Sequence, residues 1–397
     1  MKAVIAGYAR SPFHFANKGL LARVRPDDLA SQVVKALLAR TDLDPALLED
    51  VILGCAYPEA SQGNNLARIV GLLSGLPREV GGMTVNRFCG SSMSAIHIAA
   101  ANIEAGLGDA FLCVGVESMT QVPQGGFNFS PNPWLQEYTD AYVSMGRTAE
   151  NVAQRYGIPR AEQEQMALES HHKAAAAREQ GRLRDEIVRI QTGTGEWITE
   201  DGCIRPNTSL EALAKLPPAF DENGVVTAGT SSPLTDGAST VLLASEDWAQ
   251  ERGLPVQAYL THCEVAAVDF IGKKEGLLMA PAYAVPRMLD RAGLTLQDFD
   301  FYEIHEAFAS QVLTTLKAWN DETFCKERLG RDKPLGEIDM TKLNVKGSSL
   351  AAGHPFAATG ARILANAAKL LNEKGSGRCL ISICAAGGQG VVAIVEK

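Results

Sequence analysis

The chain opens on "KAVIAGYAR", an apolar stretch of strand character, and the pattern of apolar and polar positions then falls into an order that occurs twice. "VVKALLARTDLDPALLEDVILG" from Val33 reads as an amphipathic helix, a short turn at Leu43, a brief helical segment and a buried strand. "AVPRMLDRAGLTLQDFDFYEIH" from Ala284 runs through the same events, with Leu294 at the turn. A second pair follows: "CGSSMSAIHIAAANIEAGLGDAFLCVG" from Cys89 and "GHPFAATGARILANAAKLLNEKGSGRCLISIC" from Gly353 both give a small-residue loop, a helix, a Gly stop and an apolar strand. "STVLLASED" from Ser239 and "GVVAIVEK" from Gly390 are matching closing strands. Strands alternate with helices in each copy, and one helix per copy is small-residue-rich enough to be buried. The chain therefore reads as a duplicated, layered α/β fold.

Residues 1–120 make the first half, which a strand and helix at 231–252 close, and residues 253–397 make the second. The stretch 121–230 has no counterpart in the repeat. It carries Pro, Gly and the helix-forming "AEQEQMALESHHKAAAAREQGRL", and reads as an inserted loop domain. Its pair His171–His172 lacks companion ligand spacing and reads as a helix-surface feature. Five aromatics, Phe127, Phe129, Trp134, Tyr138 and Tyr142, crowd one part of it; they suit an acyl-chain wall, a partner surface or local packing of a long loop.

Composition narrows the function. With 397 residues and 46% hydrophobic content the chain can bury a large core, and a net charge of -9 disfavours nucleic acid or an anionic membrane as main partner. Apolar runs stop short of the roughly 18 residues of a membrane span, and the N-terminus shows no signal or transit pattern, so the expected location is the cytoplasm. Eight cysteines, Cys55, Cys89, Cys113, Cys203, Cys263, Cys325, Cys379 and Cys384, stand singly in apolar or Gly-rich surroundings. That is neither a disulfide framework nor a zinc set; reduced thiols and no metal are expected.

Candidate chemistry centres on "NRFCGSSMSAI". A helix beginning near Ser91 puts Cys89 at its N-terminal end, where unpaired N–H groups favour a thiolate and can hold an oxyanion; an inert buried cysteine is the competing reading. "GHPFAATGAR" presents His354 before Pro355, and in the repeat His354 takes the place of Cys89. "LISICAAGGQG" delivers Cys384 from an apolar strand into a loop of small residues. A G-x-G-x-x-G fingerprint, a P-loop and a G-x-S-x-G elbow are all missing, which leaves thiol chemistry.

These blocks, with "VESM", "TAGTSSPLTDGAS" and "HEAFA" in the same order, resemble the thiolase family over the whole chain. The resemblance implies a duplicated five-layer α-β-α-β-α fold, each half a five-stranded sheet with one buried helix, and a loop domain covering coenzyme A. It implies thiolysis of 3-ketoacyl-CoA through a Cys acyl-enzyme, with CoA as substrate and no permanently bound cofactor. By motif, Cys89 is the nucleophile, His354 its base, and Cys384 the thiol that moves a proton at the substrate's α-carbon. The N–H groups of Cys89 and Ala386 form one oxyanion hole; His354 and the "HEAFA" loop form the other.

Many thiolases carry Asn at the position of His305 and use it to fix a water that donates to the enolate oxygen; His305 can donate directly instead. This His form resembles trifunctional-enzyme thiolase subunits, whereas the inserted domain resembles aerobic bacterial β-oxidation thiolases. The resemblance further places Arg205 near the adenine end of CoA, Phe220 and Ser232 along the CoA arm, and Met145 on the acyl pocket. Ser144 stands where acetoacetyl-specific members often have His. Homodimers or homotetramers are implied, and a multifunctional hydratase-dehydrogenase α subunit is a partner by analogy. The alternatives are an acetoacetyl-CoA thiolase working in the condensing direction and a non-catalytic lipid-binding or scaffold subunit. Ketoacyl synthases share the duplicated fold but lack the second cysteine loop.

Overall fold

The computed structural model describes residues 2–272 and 274–397. Strand β1 (Ala3–Arg10) and the short β2 (His14–Phe15) lead into helix α1 (Pro26–Thr41), followed by β3 (Asp50–Gly54), α2 (Leu66–Leu73), β4 (Met83–Val85), α3 (Ser91–Glu104) and β5 (Ala110–Ser118). The middle of the chain supplies α4 (Pro133–Tyr138), α5 (Met145–Tyr156), α6 (Arg160–Glu179), a ribbon of β6 (Ile190–Gln191) and β7 (Trp197–Ile198), and α7 (Leu210–Ala214). Strand β8 (Thr235–Ser245) and α8 (Glu246–Glu251) return to the first sheet. The second half runs β9 (Ala258–Ala267), α9 (Ala280–Ala292), β10 (Phe301–Ile304), α10 (Ala309–Asn320), α11 (Glu322–Leu329), α12 (Ser349–Ala352), α13 (Thr359–Lys374), β11 (Arg378–Ala385) and β12 (Gln389–Glu396).

Strands such as β5 and β8 are buried at every residue, as their continuous apolar runs require of a sheet covered on both faces. The strand order is β10-β11-β12-β9-β1-β8-β5-β3-β4, with β2 attached to β8. Repeated units occupy equivalent places: β3 and β5 are parallel neighbours in the first half, as β10 and β11 are in the second. Two details differ from the expectation of two five-stranded sheets. The halves are joined edge to edge, because Ala3, Val4 and Ile5 of β1 pair with Leu260, Tyr259 and Ala258 of β9. Among the described residues the second half has four strands, its fifth reduced to a single bridge between Leu343 and Tyr302. Asn344, next after the bridged Leu343, leaves the extended conformation with a left-handed φ of 44°. Its side-chain amide substitutes for the missing strand, accepting from Ile304 N and donating to Ile304 O, both at 2.9 Å.

The apolar core divides into layers. One cluster packs α1 and α2 on the outside of the first sheet, another packs α9 and α10 on the outside of the second, and a third lies between, built from α3, α13 and inward residues of both sheets. Close approach of α3 and α13 depends on Gly360, where a Cβ would lie 2.6 Å from the Met93 backbone nitrogen. The middle segment adds no strand to the main sheet; α5 and α6 pack on α10, and α6 also meets α12 and α7. Among the described residues no helix is long and apolar enough to cross a membrane.

Candidate active site

Cys89 sits at an elbow between β4 and α3. Phe88, though not glycine, holds a left-handed φ of 45°, and one tight turn over Phe88–Gly90 feeds the helix. Local side chains hold that backbone: Phe88 N donates to Asn86 Oδ1 at 2.9 Å, Arg87 N to Ser91 Oγ at 2.8 Å, and Ser91 Oγ donates to Phe88 O at 2.7 Å. The Cys89 side chain is buried, and burial pushes its thiol well up; its own N–H and that of Ala386 act in the opposite sense by reaching the sulfur. These are the two N–H groups expected to form an oxyanion hole.

His354 stands in the loop between α12 and α13. Its Nε2 is 3.1 Å from Cys89 Sγ and its Nδ1 2.6 Å from Thr359 Oγ1, while its backbone N–H donates to Thr235 Oγ1 at 2.9 Å. Burial, then the positive charge of Arg362, drives its pKa far below the usual histidine value, so the ring is neutral at pH 7. Cys384 lies near the end of β11, fully buried, with burial and the neighbouring Cys89 both raising its thiol. His305 follows β10 directly. Its Nδ1 is 2.9 Å from Ser349 Oγ, and its ring centroid is 4.2 Å from that of His354. Its Nε2 is buried without a hydrogen-bond partner. Donor atoms of Cys89, His305 and His354 lie within 4.8 Å of one another, close enough to share one soft cation as well as to act as nucleophile, donor and base.

The four side chains converge because parallel strands and helix N-termini open on the same side of the sheets. Cys89, His354 and Cys384 meet at a cavity of 170 Å³ that Ala386, Met145, Phe220 and Ser232 also line; His305, fully buried against His354, is not among its lining residues. Its remaining walls are largely apolar, including Tyr57, Phe88, Leu234 and Phe308, with Phe220 packed edge-on against Phe308 at 5.9 Å. Ser144 also borders the cavity and caps α5 by accepting from Arg147 N at 3.3 Å. Arg205 does not line this space; it is exposed, with its guanidinium 5.2 Å from the centre of the Phe15 ring.

One expectation changes, and one set of alternatives narrows. His171 is buried rather than on the helix surface, and its Nδ1 accepts from Arg205 N at 3.1 Å, pinning the loop that carries Arg205 onto α6. Phe127, Phe129, Trp134, Tyr138 and Tyr142 are all exposed and border none of the cavity. Of the readings left open for them, local packing is what the contacts of four of them show, Phe129 on Tyr142 and Trp134 on Tyr138.

The sequence reading missed three supporting side chains. Thr359 and Arg362 lie in the "GHPFAATGAR" block, and a hydroxyl five residues after His354 was the available signal. Glu117 of "VESM" is fully buried and accepts from Ala56 N at 2.8 Å, Tyr57 N at 3.1 Å and Gln62 Nε2 at 2.9 Å, and from Ala357 N at 3.4 Å. It thereby ties the Tyr57 wall to the segment that follows His354. Burial raises its pKa to about 7 against the pull of those donors.

This arrangement defines a thiol-dependent acyl-transfer fold, and the family comparison agrees: residues 3–247 match the thiolase N-terminal domain and residues 254–397 the thiolase C-terminal domain. The chain belongs to the thiolase family. It is 40% identical to a 3-ketoacyl-CoA thiolase of Shewanella loihica, covering 100% of this chain and 99% of that one. It is 41% identical to a 3-ketoacyl-CoA thiolase of Saccharophagus degradans, covering 99% and 98%. Among solved structures, human mitochondrial 3-ketoacyl-CoA thiolase in complex with CoA matches with a TM-score of 0.85 at 32% identity, covering 100% of this chain and 98% of that one. An acetyl-CoA acetyltransferase from Syntrophomonas wolfei matches with the same TM-score at 33% identity, again covering 100% and 98%.

Proposed function

We propose that this protein cleaves 3-ketoacyl-CoA with coenzyme A, yielding acetyl-CoA and a shortened acyl-CoA, as the thiolytic step of fatty-acid β-oxidation. The observation that carries the reading is the 3.1 Å approach of His354 Nε2 to Cys89 Sγ in a cavity that Cys384 also lines. In the first half-reaction Cys89 passes its proton to His354 and its sulfur attacks the 3-keto carbon. The bond between carbons 2 and 3 breaks, its electron pair leaves on the acetyl-CoA enolate, and Cys384 protonates that enolate at carbon 2. In the second, the CoA thiol gives its proton to the Cys384 thiolate and attacks the Cys89 thioester; Cys89 departs and recovers its proton from His354. Neutral thiol and neutral imidazole are the resting state, since burial disfavours both charged forms.

The N–H groups of Cys89 and Ala386 stabilise the tetrahedral oxyanion at Cys89, and His305 Nε2 with His354 receives the enolate oxygen. Met145, Phe220 and Ser232 contact substrate within the cavity, and Arg205 serves the outer, adenine end of CoA. Residues 121–230 cover the substrate, while 1–120 with 231–252 and 253–397 form the catalytic halves. The apolar walls support acyl chains beyond acetoacetyl. Thiolysis assays from four to sixteen carbons test this; turnover confined to acetoacetyl-CoA would overturn the β-oxidation assignment. Eight cysteines without disulfides support a reducing compartment such as the cytoplasm. The free outer edge of β4, with Met83 exposed beside it, supports a homodimer or larger assembly, and a light-scattering mass of one chain at micromolar concentration would contradict it.

A further inference from the structure

His305 and His354 are adjacent rings with opposite surroundings. A neutral imidazole carries one proton, and whichever nitrogen holds it donates while the other accepts. For His354 the base role requires a bare Nε2 facing Cys89, which leaves the proton on Nδ1, donated to Thr359 Oγ1. His305 has a hydroxyl on Nδ1 too, and a hydroxyl alone can act either way.

Arg362 decides the direction. Buried on α13, it places Nη2 3.1 Å from Ser349 Oγ and 3.3 Å from Ser348 Oγ. A guanidinium only donates, so one lone pair of Ser349 Oγ is taken. Among the described residues the Ser349 hydroxyl has one acceptor within reach for its own proton, His305 Nδ1. Donation there forces the ring proton of His305 onto Nε2, the buried nitrogen without a partner.

We propose that Arg362 and Ser349 are positioning residues that lock His305 as its Nε2–H tautomer, so that it meets the substrate enolate oxygen as a hydrogen-bond donor, whereas His354 beside it starts the reaction as the acceptor of the Cys89 proton. With the other tautomer, a lone pair on Nε2 would face the developing negative charge and oppose the reaction. The relay runs from α13 through the first residue of α12 to the end of β10, and its catalytic consequence rests on the function proposed above.

The tautomer is read without turnover. In full-length protein labelled with 15N-histidine, long-range 1H–15N spectra, with the His305 ring assigned from its absence in His305→Gln, show protonated Nε2 and bare Nδ1 in the wild type. Ser349→Ala populates both tautomers and lowers thiolysis kcat at least about tenfold, with KM for the ketoacyl-CoA nearly unchanged. Ser349→Thr, which keeps the hydroxyl, restores the single tautomer and most of the turnover, and Arg362→Lys preserves a donor where a larger change fails to fold. A proton on Nδ1 in the wild type overturns the inference. So does a Ser349→Ala variant with an unchanged tautomer and full kcat. Absent thiolysis in the wild type with the expected tautomer would instead count against the reaction assigned to the site, leaving the relay intact.

Discussion

In the proposed mechanism, replacing His305 with alanine isolates one hydrogen bond at the point where the enolate charge develops. His305 is completely buried, its Nδ1 is engaged by Ser349, its Nε2 has no protein partner, and its ring lies against that of His354. A donor aimed at a developing oxyanion contributes roughly 3 to 4 kcal/mol to the transition state, so His305→Ala should lower kcat by about a hundredfold or more. Three local effects on stability act, two against the variant and one for it. Loss of the ring removes packing and leaves Ser349 without its acceptor, each costing about 1–3 kcal/mol, whereas removal of an unsatisfied buried nitrogen returns a similar amount. Two losses against one gain leave a net cost of about 1–3 kcal/mol, a modest fall in the unfolding midpoint. A helix-capping role is ruled out by geometry: α10 begins at Ala309 and is flanked by Phe308, with no side-chain cap bond. His305→Asn should recover part of the lost rate, because the amide can hold a water in the same place. Steady-state thiolysis and a urea titration on both variants are the measurements. Near-normal kcat in His305→Ala would refute the argument, and so would a rate loss that merely tracks a large fall in stability.

Cys384→Ser should still form an acyl-enzyme on Cys89, detected by peptide mapping after labelled substrate, yet exchange the α-protons of acetyl-CoA far more slowly because a hydroxyl is a much weaker acid; wild-type exchange would remove Cys384 from the proton path. Gly360→Ala should cost about 1–3 kcal/mol and lower kcat, since its methyl would meet the Met93 backbone and displace the helix that begins beside Cys89; an unchanged denaturation midpoint would contradict that packing. For His171, burial first, then the charge of Arg205, lowers the pKa from 6.5 to about 4. The fold therefore favours the neutral ring, and this contribution is complete above pH 6.5 and lost as pH falls towards 4, about 3 kcal/mol in all. His171→Gln should flatten stability over that window relative to wild type, and identical pH profiles would show that the residue does not titrate there.

Much of this protein is legible in its sequence because the relevant physics is local. Apolar periodicity is set by neighbours a few residues apart, so the repeat from Val33 and Ala284 already separates the two halves into helix, turn and buried strand. Cys89 and Cys384 are readable for the same reason: each stands where one element hands over to the next, and strand ends with helix starts are where layered α/β folds open their sites. The free edge of β10 was not readable, because Asn344 completes it from 40 residues away with an amide that imitates a strand. Nor was the burial of His171, which depends on a loop 34 residues later folding back onto α6.

The chemistry of the site shows the same division. Residue types and motif order named Cys89, His354, Cys384 and His305. Only the folded chain brings His354 within 3.1 Å of Cys89 across 265 residues, sets His305 against Ser349, and places Arg362 behind that serine. A sequence records which side chains can donate or accept. The direction in which a hydroxyl or an imidazole does so is set by its remaining neighbours in space, and those neighbours come from separate helices and strands that only tertiary packing brings together.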